Sequence, residues 1–317
     1  MRNEMIIHPD EISKRWIDRL ADAGVRVLGI HSVGGNDAAK YLDALVRSAE
    51  GDEYRALIDY ARKRGLEVEY ELHAAGYLMP RALFATNPEF FRMNEAGERV
   101  ADFNFCVSNG EALKLVSKRA ALLANALYGS CDNFYFWMDD GRNTRCHCEK
   151  CASLSQSDQQ LTALNAMLKE IKKTRKNAKM AYLAYCDTVV LPEKVAAEEG
   201  IFLEYAPFEK YVAKGEGAEA RIANERAMLL PLMEFFGKAD AKVLEYWYDN
   251  SLFSGWQKPP KAFALDREAM ERDVEEYKRL GFGSIATFAC YLGDDYEALH
   301  GEVDIVPFAQ VSCLKDL

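Results

Sequence analysis

Two adjacent carboxylates precede a group of cysteines near the middle of the chain. The apolar run 133–138 leads directly into Asp139 and Asp140, and a glycine-led loop follows. Neighbouring carboxyl groups at a strand end can ionise differently, because the charge on one favours protonation of the other. Glycoside hydrolysis uses such a pair: the protonated carboxyl group donates a proton to the leaving oxygen, and the ionised one acts as base or nucleophile. We therefore predict catalytic roles for Asp139 and Asp140.

The loop after the carboxylates carries a Cys-x-Cys-x-x-Cys motif. Its three thiols are those of Cys146, Cys148 and Cys151. Thiolates at such spacing can bind a tetrahedral Zn²⁺, and three or four of them give a closed, structural site rather than a catalytic one. Cys186, at the predicted end of the next strand, is the expected fourth ligand, and His147 is the alternative. Without a metal, the same residues would be reduced thiols that pack the loop.

Composition and charge limit the classes of function that this chain could have. The 317 residues are 49% hydrophobic and 28% charged, as in a globular protein with a large core. The formal net charge of −10 argues against nucleic acid and an anionic membrane as partners, because both require a basic surface. No apolar run approaches the ~18 residues of a membrane span, and no secretory signal is recognisable at the start. We expect a cytoplasmic protein with no organic cofactor; the sequence does not indicate its oligomeric state.

Short apolar runs alternate with longer segments of helical period, which is typical of parallel α/β folds. A single (β/α)8 barrel over residues 1–317 is predicted, with an N-terminal helix at 9–23 and a cysteine-rich loop at 141–157. An open doubly wound sheet is the alternative, but no G-x-G-x-x-G follows the first predicted strand. The eight predicted strands are 25–30, 66–73, 102–109, 133–138, 179–187, 201–208, 242–250 and 284–292.

Polar and aromatic residues recur at the predicted strand ends. In a parallel barrel these ends share one face, which is where barrel enzymes place their active sites. Aromatic rings stack on sugar rings, and carboxylates accept hydrogen bonds from hydroxyl groups. We therefore predict a small carbohydrate ligand. The predicted substrate-binding residues are His31, Glu71, His73, Glu204, Tyr205, Glu245, Trp247, Tyr248, Asp249 and Tyr291.

The runs 87–116, 137–151, 181–195 and 281–296 resemble the bacterial domain of unknown function 4838. The most specific part of this resemblance is the Asp-Gly dipeptide followed by the cysteine motif. That family is similar to glycoside hydrolase families 20 and 163, whose members are β-hexosaminidase-type (β/α)8 barrels. The resemblance implies that Asp139 orients the N-acetyl group of a substrate and that Asp140 is the acid/base. Asp140 stands where the hexosaminidases have Glu.

The leading hypothesis is a glycoside hydrolase that acts on a small oligosaccharide or glycoside, including N-acetylhexosaminides. The second hypothesis is a non-catalytic carbohydrate-binding barrel that has lost the catalytic Glu. The third is cleavage of a uronic acid, which would need a basic clamp for the substrate carboxylate. The predicted strand ends offer His31 and His73 but few arginines for such a clamp.

Overall fold

A computed structural model describes residues 1–313 and shows a closed barrel of eight parallel strands. Each strand pairs with the next one in the chain, and β1 closes the barrel by pairing with β8. The predicted (β/α)8 fold is confirmed. The strands are β1 (Arg2–Ile7), β2 (Val27–Ile30), β3 (Glu67–His73), β4 (Asn133–Trp137), β5 (Lys179–Ala184), β6 (Ile201–Tyr205), β7 (Lys242–Glu245) and β8 (Ser284–Phe288).

Helices surround the barrel, and the main apolar core lies between them and the outer face of the sheet. Within the described residues, no helix combines the length and the apolar character that crossing a membrane requires. The helices are α1 (Lys14–Ala23), α2 (Ala38–Ser48), α3 (Asp52–Lys63), α4 (Ala75–Leu78), α5 (Gly110–Ala126), α6 (Gln156–Ile171), α7 (Glu209–Val212), α8 (Ala218–Ala227), α9 (Leu229–Phe236), α10 (Asn250–Phe253), α11 (Arg267–Leu280), α12 (Asp294–His300) and α13 (Val306–Cys313).

The predicted strand count is right, but one strand was assigned to the wrong segment. Residues 102–109 form a connection rather than a strand, and Asn104 within it has a φ of 44° that no strand allows. The strand that completes the barrel is β1. Its polar residues Arg2, Asn3 and Glu4 conceal it from a search for apolar runs, although Glu4 is fully buried.

The helix predicted at 9–23 is a short 3-10 turn followed by α1. Ser13 caps α1 by accepting a hydrogen bond from the Trp16 N–H at 3.2 Å, and Gly24 ends it at a φ of 89°. The loop predicted at 141–157 ends two residues earlier than expected, because Ser155 and Asp158 form a capping box that starts α6 at Gln156.

Candidate functional site

A cavity of about 520 Å³ opens at the carboxyl end of the barrel. Its walls are largely aromatic, and its polar groups include three histidines and two carboxylates. The strand-end predictions His31, His73, Asp140, Asp249 and Tyr291 all line it. The other aromatic walls come from Tyr41, Trp137, Tyr185, Phe208, Tyr246, Trp256 and Phe288.

Three histidines from successive strands form one side of the cavity. The Nδ1 atom of His8 lies 2.8 Å from the His31 carbonyl oxygen, that of His31 2.7 Å from the Glu71 carbonyl, and that of His73 2.8 Å from the Met138 carbonyl. A carbonyl only accepts, so each Nδ1 carries the hydrogen and each neutral ring keeps Nε2 as an acceptor.

Burial favours the uncharged form of the His8 and His31 rings. It lowers the pKa of His8, and it lowers the pKa of His31 further because neighbouring His73 and His8 add to the effect. His31 and His73 lie edge to face with ring centroids 5.8 Å apart. The histidine side therefore presents hydrogen-bond acceptors to a ligand.

Two carboxylates reach the cavity from different strands. Asp140 follows β4 and is exposed, and the Tyr185 hydroxyl donates to its Oδ1 at 3.2 Å. Asp249 follows β7 and is buried, and its Oδ1 accepts from the Ser251 hydroxyl at 2.5 Å and from two backbone N–H groups at the start of α10. Burial raises the pKa of Asp249, although these hydrogen bonds oppose the rise.

Asp139 is next to Asp140 but does not line the main cavity. Its carboxylate forms an ion pair with Arg81 and accepts hydrogen bonds from the backbone N–H groups of Asn104 and Gly76. Its own N–H donates to Asn104 Oδ1 at 2.9 Å. The structure thus uses Asp139 to hold together the connections that follow β3 and β4.

Glu71 and Glu204, both predicted to bind substrate, are fully buried inside the barrel. They join Glu4 and Glu69 around the Lys242 ammonium group, which lies 2.5 Å from Glu4 Oε2 and pairs directly with Glu71. Arg2 adds a second cation, 2.8 Å from Glu69. The Trp137 indole connects this group to the cavity above it, because its N–H donates to Glu204 at 2.7 Å.

Burial favours the protonated form of all four acids, but their net pKa shifts differ because nearby cations oppose this effect to different extents. It raises the pKa of Glu71 to about 8 and that of Glu204 to about 7, with Lys242 opposing the rise in both. The pKa of Glu69 falls to about 2, because its attraction to Lys242 and Arg2 outweighs the effect of burial. Four carboxylates thus share two cations, and the raised pKa values of Glu71 and Glu204 favour their protonated forms.

Four other predicted substrate-binding residues point away from the cavity, into the helical layer. Tyr205 donates to the Glu225 carbonyl at 3.3 Å, and Tyr248 to the Asp304 carbonyl at 3.1 Å. Glu245 accepts from Tyr277 at 2.5 Å, and Trp247 lies near the same helix. Side chains alternate across a strand, and the cavity-facing side of β7 carries Leu244 and Tyr246 instead. The alternation accounts for Glu245 and Trp247, whereas Tyr248 follows the end of β7 and its hydroxyl turns to the Asp304 carbonyl. The predicted position of all four residues at the mouth is therefore wrong.

The structure also corrects the predicted set of thiols. Cys146, Cys148 and Cys151 are buried together as expected, but the fourth sulfur beside them belongs to Cys106. Cys186 begins a 3-10 turn after β5 and lies near Arg142 and Asp187 instead. The cysteine-bearing part of the connection after β4 packs against the long connection after β3, which places Cys106 rather than Cys186 beside its sulfurs.

Sequence reasoning missed several residues that line the cavity: His8, Trp137, Tyr185, Tyr246 and Trp256. His8 follows the unrecognised strand β1. Tyr246 would have been found had the alternation along β7 been read in the other parity. Trp256 lies outside any strand, at a φ of 56° in a connection that no strand pattern marks.

The family described as domain of unknown function (DUF4838) has a model that matches residues 44–221 of this chain. The match includes the runs 87–116, 137–151 and 181–195 that suggested the resemblance. None of the curated protein sequences gives a significant match.

Solved structures with the same fold include several glycoside hydrolases. The β-galactosidase from Rahnella sp. R3 has a TM-score of 0.58 at 12% identity, over 98% of this chain and 54% of that one. ZgEngAGH5_4 in complex with a cellotriose has a TM-score of 0.50 at 12% identity, and the comparison covers 95% of this chain and 88% of that one. The Bacteroides ovatus GH5 xyloglucanase in complex with a XXXG heptasaccharide has a TM-score of 0.50 at 15% identity, and the comparison covers 95% of this chain and 67% of that one. This chain spans about half of the β-galactosidase. At these identities the likeness establishes the barrel fold.

Proposed function

This chain belongs to the family of the domain of unknown function DUF4838, and on that premise we propose that it hydrolyses glycosidic bonds of a neutral carbohydrate. The cavity at the barrel mouth is the proposed site. ZgEngAGH5_4 is in complex with a cellotriose, and the Bacteroides ovatus GH5 xyloglucanase with a XXXG heptasaccharide. These complexes of barrels with the same fold support a carbohydrate ligand.

The observation that carries the proposal is the chemistry of the cavity wall. Neutral imidazole nitrogens and carboxylates accept the hydrogen bonds that sugar hydroxyls donate, and the aromatic walls suit the apolar faces of sugar rings. Within residues 1–313, no lysine or arginine lines this cavity. A neutral sugar therefore fits better than a uronic acid, whose carboxylate needs a cationic partner.

The two carboxylates of the cavity divide the chemistry between them. The raised pKa of Asp249 favours its protonated form, which can donate a proton to the leaving oxygen. Asp140, which the Tyr185 hydroxyl orients, is the second carboxylate. It either activates a water molecule or attacks the anomeric carbon itself. Strands β4 and β7 are three apart in a ring of eight, so their ends face each other across the mouth. This proposal gives Asp249 the proton-donor role that the sequence suggested for Asp140.

The alternative is a barrel that binds carbohydrate without cleaving it. The geometry of Asp139 favours this second candidate over an N-acetylhexosaminidase, because Arg81 and two backbone N–H groups already occupy its carboxylate. Substrate-assisted cleavage would need that carboxylate free to orient an N-acetyl group. The position that would supply the acid in such an enzyme also holds the shorter Asp140.

A panel of neutral aryl glycosides tests the proposal with wild type, Asp140→Asn and Asp249→Asn. Loss of a general acid or base typically costs ~10²–10⁴ in rate, and we expect losses in this range for both variants. Asp240→Asn is the matched control, since Asp240 pairs with Lys179 at 2.6 Å at the opposite end of the barrel. Full turnover in both cavity variants would contradict the proposal. Absence of turnover with saturable sugar binding by calorimetry would select the binding barrel.

A further inference from the structure

Four cysteine sulfurs from two separate connections face one another in the buried region behind the cavity mouth. Cys106 follows β3 in the chain, and Cys146, Cys148 and Cys151 follow β4; all four sulfurs lie within 4.8 Å of one another. Cys106 Sγ is 3.7 Å from Cys148 Sγ and 4.0 Å from Cys151 Sγ. The cluster is set by the tertiary fold, because 40 residues separate Cys106 from Cys146 in the chain.

These separations match a tetrahedral metal site. Zinc–sulfur bonds of ~2.3 Å place the sulfurs of a regular tetrahedron roughly 3.8 Å apart. A disulfide would need two sulfurs at ~2.05 Å, whereas all four cysteines are free thiols. Unmetallated thiols would gain little from hydrogen bonding to one another in this arrangement, because the S–H group is a weak hydrogen-bond donor.

We propose that Cys106, Cys146, Cys148 and Cys151 bind one structural zinc ion. All four residues are buried, and four thiolates close the coordination sphere, so the ion is not available to a substrate. This inference is independent of the proposed hydrolase activity.

Groups around the sulfurs suit the negative charge of a zinc tetrathiolate. The Met93 N–H donates to Cys146 Sγ at 3.3 Å, and the Arg99 guanidinium lies 3.8 Å from the same sulfur. The Ser108 hydroxyl oxygen is 3.2 Å from Cys151 Sγ and 3.3 Å from Cys106 Sγ. Such outer hydrogen bonds orient the ligands of a metal and offset their charge.

The proposed ion would fasten the connection after β3 to the connection after β4, which carries the cavity carboxylate Asp140. Asn104 lies two residues before Cys106, and its side chain accepts from the Asp139 N–H at 2.9 Å. The same side chain donates to Thr144 Oγ1 at 2.9 Å, two residues before Cys146. The metal thus holds both ends of the network that positions Asp139 and, through the backbone, Asp140.

Metal content of the full chain tests the site. The protein is expressed with zinc and iron both present, purified without added metal or chelator, and analysed by plasma mass spectrometry. We expect about one zinc per chain in wild type and in Cys186→Ser, and a severalfold loss in Cys106→Ser. Cys186→Ser is the control, because it also removes one free thiol but from outside the cluster.

Wild-type protein alone also decides the matter if Cys106→Ser fails to fold. Titration with a mercurial should release one zinc as four thiols react together, while the other four of the eight cysteines react independently of metal. Substitution with Co²⁺ should give the intense visible absorption of a tetrahedral thiolate complex. A wild-type protein that contains no metal, or iron in place of zinc, would overturn the proposal. Loss of zinc in Cys186→Ser with retention in Cys106→Ser would overturn it as well.

Discussion

Tyr185 holds Asp140 at the rim of the cavity, with the tyrosine hydroxyl 3.2 Å from Asp140 Oδ1. Tyr185 follows β5 and Asp140 follows β4, so this hydrogen bond links neighbouring connections of the barrel. Both residues line the cavity, and Asp140 is otherwise exposed to solvent. The hydroxyl therefore selects one orientation of a side chain that would otherwise sample several.

Replacement of Tyr185 by Phe should lower turnover roughly 10- to 150-fold, because a hydrogen bond to a charged group contributes on the order of 1.5–3 kcal/mol. Initial rates on the best glycoside of the panel measure the effect. Tyr182→Phe is the control: its hydroxyl donates to the Thr188 carbonyl at 2.9 Å, outside the cavity, and its loss should leave turnover unchanged. Equal rates in both variants would show that the Tyr185 hydroxyl does not contribute to turnover by orienting Asp140.

Lys242 should be essential for stability, because it is the buried cation nearest to four buried glutamates. Lys242→Met leaves those acids with Arg2 alone, and we expect a loss of about 3–5 kcal/mol in the free energy of unfolding. Urea denaturation measures it. Lys179→Met, at the start of β5, breaks an exposed pair with Asp240 and should cost about 1 kcal/mol or less. Similar losses for both lysines would contradict the central role of Lys242.

Stability should fall as pH rises between 6.5 and 8. Glu71 has a folded-state pKa of about 8, above its ordinary 4.5, so the native chain holds a proton that the unfolded chain has released. Its contribution is complete below pH 4.5 and is lost as pH rises through 8. The lowered pKa values of His8 and His31 act in the opposite sense, but only below about 6.5.

The free energy of unfolding, measured in urea at several pH values, should therefore slope downward over this window. Glu71→Gln removes one of the titrating groups and should reduce the slope, while Glu204, with a pKa of about 7, retains part of it. Glu67→Gln alters an exposed glutamate on the same strand, paired with Arg2 at 2.7 Å, and should retain the wild-type slope. An unchanged slope in Glu71→Gln would show that the proton is held elsewhere.

Features that repeat along the chain could be predicted from the sequence. Alternating apolar and helical segments indicated the barrel, and the rule that sites lie at strand ends placed His31, His73 and Asp249 in the cavity. The buried charges misled the same reasoning. Glu4 made β1 look too polar for a strand, although it pairs with Lys242 inside the barrel.

Features that depend on tertiary contacts could not be predicted. No local pattern links Cys106 to a motif 40 residues later, and only the folding of one connection onto the other brings them together. The parity of β7 was also ambiguous, because both of its faces carry polar or aromatic residues. Glu245 binds Lys210 on the outer face, while Tyr246 lines the cavity.

The contacts of Asp139 lead to a prediction that separates a positioning role from contact with substrate. Asp139→Asn should weaken the ion pair with Arg81, and hydrogen exchange should become faster in the connections 74–109 and 138–155. If the residue only positions Asp140, turnover of N-acetylated and plain glycosides should fall by the same factor.

Arg81→Met is the matched variant, because it breaks the same ion pair from the partner that lies farther from Asp140. It should reproduce both the faster exchange and the equal loss on the two substrate classes. An Asp139→Asn variant that loses activity only on N-acetylated substrates, with unchanged exchange, would instead show that Asp139 orients the N-acetyl group. The ratio of the two activities decides between these roles, because a loosened connection affects every substrate that Asp140 serves.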